Sequence, residues 1–377
     1  MKCVAERMYT EVRSGFMREE EKMSILTAGQ NNDSDAVTER ETPALWGWHT
    51  IASIVITAAV FVLLVSYVDL AQVWREVIAS DKRLLVLAAL SHYGTYPVRG
   101  IRWRRCLSHV PVRCGKARFG LLVFFYNFVD NIVPAKLGDI YASHLAWINC
   151  GVRRSAALGS IVFLRMVDAW MVLILAAAAS WYLFSTAFPR PVAWALVIAF
   201  LIAIATTAVI VAFLVLKRSL PAWIPETVRQ RIGAFHEGML PDQKEIVPLL
   251  FLTVVIWGME TMWLFLLARA FTVNLDVGEA LFLTMIPVIV TAFPLTPSGA
   301  GAVELTLFGC LRLVGVAAPL AVSLTVVNRF IDFWLHIVLG ALAWVFRRAI
   351  GLRTWKDKPI ESYDPELTTS LEKEITP

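Results

Sequence analysis

Long apolar stretches separated by short polar segments dominate the chain after residue 47. The first, Trp48–Tyr67, has 20 residues and no charge, which at about 1.5 Å per residue is enough to cross a hydrocarbon core of about 30 Å. Further apolar runs lie near residues 84–98, 119–133, 156–183, 192–216, 246–271, 280–294 and 319–346. Three of these, near 84, 119 and 280, are short or are interrupted by Pro, Asn or Gly. This pattern predicts an all-α polytopic membrane protein.

The polar segments between the runs differ in their basic content. Those richest in Lys and Arg are 99–118, 217–245 and 347–358. The poorer or balanced ones are 69–83, 187–191 and 272–279. Because short cytoplasmic loops are enriched in basic residues, we expect the first group in the cytoplasm and the second outside. Both termini are then cytoplasmic, with about six full crossings.

Two stretches must return to the side from which they enter if this orientation holds. Residues 119–154 begin and end on the cytoplasmic side, and residues 279–317 begin and end outside. Helix-breaking residues interrupt both of them: Pro134, Gly138, Pro294, Pro297, Gly299 and Gly301. We therefore predict two re-entrant broken hairpins that open to opposite faces, since irregular backbone at membrane depth needs protein or water around it.

A short sequence recurs in the two halves of the chain. LRMVDAW at 164–170 resembles NRFIDFW at 328–334, which aligns Arg165 with Arg329 and Asp168 with Asp332. With the opposite orientations above, this predicts two inverted-topology repeats, about 48–187 and 192–348, inside a transmembrane domain at 48–350. Polar tails at 1–47 and 351–377 flank it. Inverted repeats with broken helices are typical of secondary transporters, whose site lies near the midplane.

Composition excludes most soluble functions. Hydrophobic residues make up 58% and charged residues 17% of the chain, against roughly 45–50% and about 25% in soluble domains. The net charge of +5 comes with no basic nucleic-acid-binding module, so we expect no nucleic-acid partner. The five cysteines form no CxxC pair or Cys/His cluster, so neither a disulfide, a metal site nor a cofactor is expected.

Arg165 and Arg329 are predicted near mid-membrane, where an arginine costs about 2.5–3.5 kcal/mol and needs partners. One interpretation is that Asp168 and Asp332 only neutralise them on the same helix face. The other is a water-filled cavity for an anionic ligand, which His336 would extend. Glu260, in mid-span, either carries a proton or pairs with an arginine, and the sequence does not separate these.

The broken hairpins supply further candidate site residues, which are Asn131, Lys136, Gly138, Asp139, Gly299, Gly301 and Glu304. An ordinary break between helices would explain them. Alternatively, a helix that starts after such a break directs free amides and its positive dipole end at the cavity, which suits a phosphate. Lys136 would add a point charge. Helix–helix hydrogen bonding explains Asn131 equally well.

The sequence resembles the lysylphosphatidylglycerol synthase transmembrane-domain family, also called flippase-like, which includes the membrane half of the multiple peptide resistance factor. The resemblance covers roughly residues 48–350 and rests on three elements: PAKLGD at 134–139, TPSGAGAVE at 296–304 and the R-x-x-D helix between them. It implies a translocator, or an associated membrane domain, for aminoacylated phospholipids, polyprenyl-linked sugars or hopanoid-type lipids. Because only about 30 residues follow Arg347, we expect no aminoacyl-transferase domain.

We expect a non-enzymatic flippase in the bacterial inner (plasma) membrane that moves a lipid with an anionic or phosphate-bearing head group between leaflets. A membrane-embedded lipid-modifying enzyme is the alternative, although the sequence contains no HExxH or GxSxG element. A scaffold that partners a separate lipid-synthesising enzyme is a third.

Overall fold

The computed structural model describes residues 70–132, 138–216, 225–291, 299, 301–354 and 357. They are helical with short connections and contain no strand, which confirms the predicted all-α fold class. The helices are α1 (Leu70–Ala79), α2 (Lys82–Cys106), α3 (Lys116–Ile132), α4 (Gly138–Cys150), α5 (Arg154–Phe184), α6 (Arg190–Leu216), α7 (Glu226–Met239), α8 (Gln243–Ala270), α9 (Val277–Val290), α10 (Ala302–Leu313), α11 (Ala318–Arg329) and α12 (His336–Val345). The predicted crossing at Trp48–Tyr67 and the tail at 1–47 lie outside the described residues.

Within these ranges, four segments are long and apolar enough to cross a membrane: Arg154–Phe184, Arg190–Val215, Gln243–Ala270 and Ala318–Val345. The last combines α11 and α12 with a π-helical turn, Phe330–Leu335, between them. π-Helical turns inside α-helices frequently mark functional sites. α2 is of comparable length, with 25 residues, but carries several arginines, so it needs counter-charges from its neighbours.

One end of the bundle, which we call the capped end, gathers residues 80–81, 185–189, 271–276 and 314–317. The side chain of Asp81 caps α2 by accepting from the backbone N–H of Arg83, and its own N–H donates to the carbonyl of Ala270 (3.0 Å). Asp276 and Glu279 form a capping box at the start of α9. Asx capping satisfies amides that a helix start leaves free.

The opposite end, which we call the disulfide end, gathers residues 107–115, 151–153, 240–242 and 346–354. Here Arg105 pairs with Glu245 (2.8 Å), and Asn149 donates to the carbonyl of Arg353 (2.9 Å). The two groups of loops are therefore the two groups that the basic-residue pattern separates. The helices α2, α5, α6, α8 and α11–α12 run from one end to the other.

α3 and α4 form a hairpin that starts and finishes at the disulfide end. The N–H of Arg113 donates to the carbonyl of Cys150 (3.0 Å), and Cys114 is disulfide-bonded to Cys150. α9 and α10 pack together as the second hairpin, whose two ends lie at the capped end. With 13 and 12 residues, α4 and α10 are each only about 18–20 Å long, too short to cross alone.

Three details differ from the sequence-based expectations. The Cys114–Cys150 bond shows that the expectation of no disulfide is wrong; the two cysteines are separated by 36 positions, so no local motif marks them. Arg99 and Arg102 belong to α2 rather than to a basic loop. The 217–245 segment contains α7, which packs against α5 with Gly238 over the carbonyl of Ala156.

The contact between α2 and α8 is the most extensive one between two helices of the described structure. α2 also packs against α3. The contact with α3 brings two backbones together at glycines. A Cβ added to Gly100 would lie 2.2 Å from the backbone nitrogen of Gly120. Small residues permit this close approach between helices in lipid, where dispersion contacts hold helices together.

We predict that Gly100→Ala lowers the thermal unfolding midpoint of the protein in detergent, because overpacking of this kind costs about 1–3 kcal/mol. Gly258→Ala on α8 is the matched control, since a Cβ there meets nothing within 4 Å. Fluorescence-detected melting, using the native tryptophans, measures both. Equal midpoints for Gly100→Ala and Gly258→Ala would contradict the close α2–α3 contact.

We also predict that an impermeant thiol reagent added to intact cells labels a single cysteine at Ala187 or Asn274 but not at Ser108. The basic loops predict a cytoplasmic position for the disulfide end, whereas a persistent disulfide favours an oxidising compartment. Each single cysteine is introduced into a variant that lacks the five native cysteines. Labelling then reports the orientation of a protein that has no disulfide bond. Labelling of Ser108, with Asn274 protected, would reverse the orientation.

Candidate functional site

Arg102 is the most buried of the ion-paired arginines of α2, with 5% of its side chain exposed. Its guanidinium donates to both carboxylate oxygens of Asp168 on α5, at 2.5 and 2.8 Å. It also donates to the hydroxyl of Thr253 on α8 (2.9 Å). The indole of Trp257 adds a donor to Asp168 (3.3 Å). This bidentate pair ties α2, α5 and α8 together near the middle of the bundle.

One helical turn towards the capped end, Arg99 pairs with Glu260 of α8 (2.9 Å). The other oxygen of Glu260 lies 3.1 Å from Nδ1 of His92. Glu260 is buried, so it has both of its oxygens engaged inside the protein. The structure therefore shows Glu260 paired with an arginine, which is one of the two roles that the sequence suggested for it.

Arg165 on α5 pairs with Asp139 in the first turn of α4 (2.9 Å). About half of the Arg165 side chain, 52%, is exposed. The turn itself is held by Asp130, whose Oδ1 accepts from the N–H of Gly138 (3.2 Å). A Cβ on Gly138 would overlap Asp130, which explains the glycine at this position.

Arg329, the counterpart of Arg165, pairs with Glu304 in the first turn of α10 (2.7 Å). It also lies 3.8 Å from Asp332 and over the ring of Phe333. Only 11% of its side chain is exposed. The second oxygen of Glu304 accepts from the N–H of Gly301 (2.7 Å), whose φ of +88° explains its glycine.

The two halves therefore share one arrangement, in which the arginine of a crossing helix pairs with an acid at the start of a hairpin helix. The interpretation that Asp168 neutralises Arg165 is wrong, because Asp168 pairs with Arg102 and Arg165 with Asp139. For Arg329 the neighbouring Asp332 does contribute, at a longer distance than Glu304. The i,i+3 spacing alone could not reveal partners that lie on other helices.

Two cavities lie beside α2, one towards α3 and α5 and the other towards α8. The smaller one, of about 30 Å³, has Arg99, Arg102, Arg165, Asp168 and Tyr126 among its lining residues. The larger one, of about 180 Å³, has His92, Arg99, Glu260, Asp332 and Asn328 among its lining residues, with α9 and α10 on its other side. Arg99 lines both cavities.

The remaining candidates are placed as follows. His336 is buried between the hydroxyl of Tyr96 (3.1 Å) and the carbonyl of Phe124 (3.2 Å), and it lines neither of these two cavities. Asn131 is partly buried in the last turn of α3. Gly299 has a φ of +66°. Lys136 lies outside the described residues.

Sequence reasoning missed Arg99, Arg102 and His92. The two arginines were grouped with a basic loop because they precede Arg104 and Arg105 by only a few residues. Their spacing of three, on a helix that also carries His92 seven residues before Arg99, is the signal that could have found them. Within the described ranges, no group of three or more His, Cys, Asp or Glu residues is placed to hold a metal ion.

The comparisons with known proteins agree with this architecture. A UPF0104 membrane protein of Methanocaldococcus jannaschii is 24% identical over 216 residues, which are 57% of this chain and 92% of the relative. A UPF0104 membrane protein of Methanothermobacter thermautotrophicus is 31% identical over 91 residues, 24% of this chain and 27% of the relative.

Glycosyltransferase AglD of Haloferax volcanii is 26% identical over 119 residues, 31% of this chain but only 19% of that protein. The relatives named here are thus archaeal, and the longest match spans nearly the whole of its partner. The model of the lysylphosphatidylglycerol synthase TM region matches residues 50–340, most of the chain and both of its hairpins. The protein therefore belongs to the lysylphosphatidylglycerol synthase TM-region family of integral membrane proteins.

Proposed function

We propose that the protein is a lipid transporter that moves a lipid with an anionic or phosphate-bearing head group between the leaflets. The observation that carries the proposal is the pair of cavities beside α2, with Arg99 in the wall of both. Each cavity adjoins one hairpin, and the hairpins open to opposite ends. Alternating access around a central site uses this kind of inverted arrangement.

Arg165 is the residue we propose for head-group contact in the first half. An arginine inside a membrane protein is expensive unless it is paired or meets water or ligand. Among the described residues, Arg165 has one ion-pair partner, Asp139, and about half of its side chain is exposed. Its guanidinium can therefore also donate to phosphate oxygens. Arg329 differs, because Glu304, Asp332 and Phe333 surround it, and we assign it a larger part in holding the second hairpin.

The similarity to a segment of Glycosyltransferase AglD favours one alternative, a non-catalytic membrane partner of a separate glycosyltransferase. The similarity covers 119 residues, 19% of that protein. Mass spectrometry of the lipids recovered after transport separates the functions. An unchanged lipid mass with a changed leaflet supports the transporter, and a changed mass supports a lipid-modifying enzyme.

We predict that Arg165→Lys reduces flipping of fluorescent phosphatidylglycerol in proteoliposomes by at least about tenfold, although the charge is kept. A lysine presents a point charge and cannot hold two oxygens in a fixed fork. Arg269→Lys is the matched control, since Arg269 bonds Asn274 at the capped end, away from both cavities. Wild-type flipping by Arg165→Lys would exclude Arg165 as the head-group contact.

We predict that Arg329→Gln lowers the thermal unfolding midpoint much more than Arg165→Gln does. Removing one partner of a buried pair costs about 3–5 kcal/mol, because the other charge stays buried without compensation. The double variant Arg329→Gln with Glu304→Gln should recover part of this loss, which a double-mutant cycle measures. Equal losses for the two single arginine variants would mean that Arg165 and Arg329 have the same structural role.

A further inference from the structure

His92 lies between two carboxylates that come from different helices. Its Nδ1 is 3.1 Å from Glu260 on α8, and its Nε2 is 3.6 Å from Asp332 in the π-helical turn. The residue is 4% exposed, and its Nε2 has no hydrogen-bond partner among the described residues. His92 also lines the larger cavity. A buried ring nitrogen without a partner, beside a carboxylate and a cavity, is a place where a proton can bind.

Charged and titratable groups from each surrounding element accompany His92. On α2 they are Tyr93, Tyr96 and Arg99, on α8 Glu260, on α10 Glu304, and along the last crossing Arg329, Asp332 and His336. Nδ1 of His336 lies 3.1 Å from the hydroxyl of Tyr96, and its Nε2 donates to the carbonyl of Phe124. Three carboxylates, Glu260, Glu304 and Asp332, face the two arginines, Arg99 and Arg329, so the group has one excess negative charge when both histidines are neutral.

Among its described residues, the first half has no equivalent group. Its smaller cavity is lined by arginine, aspartate, tyrosine and apolar residues, without a histidine. Arg102 with Asp168 and Arg165 with Asp139 balance each other without any proton. The repeat is therefore symmetric in its arginine–carboxylate pairs and asymmetric in its capacity to bind a proton near neutral pH.

We propose that His92 is the proton-binding site of the transporter, and that a proton on its Nε2 accompanies the anionic head group in the larger cavity. This proposal rests in part on the proposed function. A phosphate beside Asp332 and Glu260 adds negative charge to a group that already has an excess of it. One proton taken from water onto Nε2 offsets the single charge of a phosphodiester head group, so the head group and the proton together add no net charge. The proton returns to water from the same atom when the head group leaves, so a proton gradient drives transport.

A first experiment tests the proton site without any transported lipid. The ring of Trp263 lies 4.3 Å from that of His92, and an imidazolium quenches a neighbouring indole. The fluorescence of the protein in phosphatidylcholine nanodiscs, after subtraction of the Trp263→Phe variant, should show a one-proton transition between about pH 5 and 9. His92→Asn, which can keep a hydrogen bond to Glu260, should abolish it.

His109→Gln is the control for this titration, because His109 donates to a backbone carbonyl at the disulfide end and should leave the transition intact. Asp332→Asn removes a negative charge beside Nε2, so the midpoint should move to lower pH by about one unit. Absence of the transition in the wild type, or its persistence in His92→Asn, overturns the proton site.

A second experiment tests coupling in phosphatidylcholine proteoliposomes that contain a trace of fluorescent phosphatidylglycerol. A transmembrane pH gradient should change the flipping rate several-fold in the wild type and in His109→Gln, and should have no effect in His92→Asn. Flipping that ignores the gradient in the wild type overturns the coupling and leaves the proposed function standing. Absence of flipping in the wild type and in every variant counts against both the proposed function and the coupling. In that case the fluorescence transition still decides whether His92 binds a proton.

Discussion

The need to compensate arginines inside an apolar bundle is the constraint on which the arrangement of this protein depends. Arg99, Arg102, Arg165 and Arg329 each contact a carboxylate, and each of these carboxylates lies on a different helix from its main arginine partner. In lipid, an uncompensated charge costs several kcal/mol, so the pairs determine which helices must be neighbours. They link α2 to α5 and α8, α5 to α4, and the last crossing to α10.

The same pairs explain how broken hairpins persist within a membrane protein. A helix that starts at membrane depth has free backbone amides, and in both hairpins an acid satisfies one of them. Asp130 accepts from Gly138 in the first hairpin, and Glu304 accepts from Gly301 in the second. In the second half, Glu304 also binds Arg329, so one residue both caps the hairpin helix and compensates the arginine. In the first half, Asp130 and Asp139 divide those two tasks.

Periodicity, basic-loop asymmetry and internal repetition were sufficient to predict the fold class, the crossings that lie in the described ranges and the two hairpins, because all three are properties of long segments. They could not identify partners. Arg102 and Asp168 are 66 positions apart, and Arg99 and Glu260 are 161 apart, so only the packing of α2 against α5 and α8 brings them together. Local spacing instead suggested Asp168 for Arg165. The same limitation applies to Cys114 and Cys150. It also applies to His92, because the two carboxylates beside it, Glu260 and Asp332, belong to other helical segments.

These long separations also bear on biosynthesis. α2 leaves the ribosome before α5 and α8 have been made, so Arg102 and Arg99 reach the translocon without Asp168 and Glu260. At about 2.5–3.5 kcal/mol for each arginine, α2 is a poor candidate for independent insertion. We therefore expect α2 to enter the bilayer together with the helices that carry its acidic partners, rather than alone.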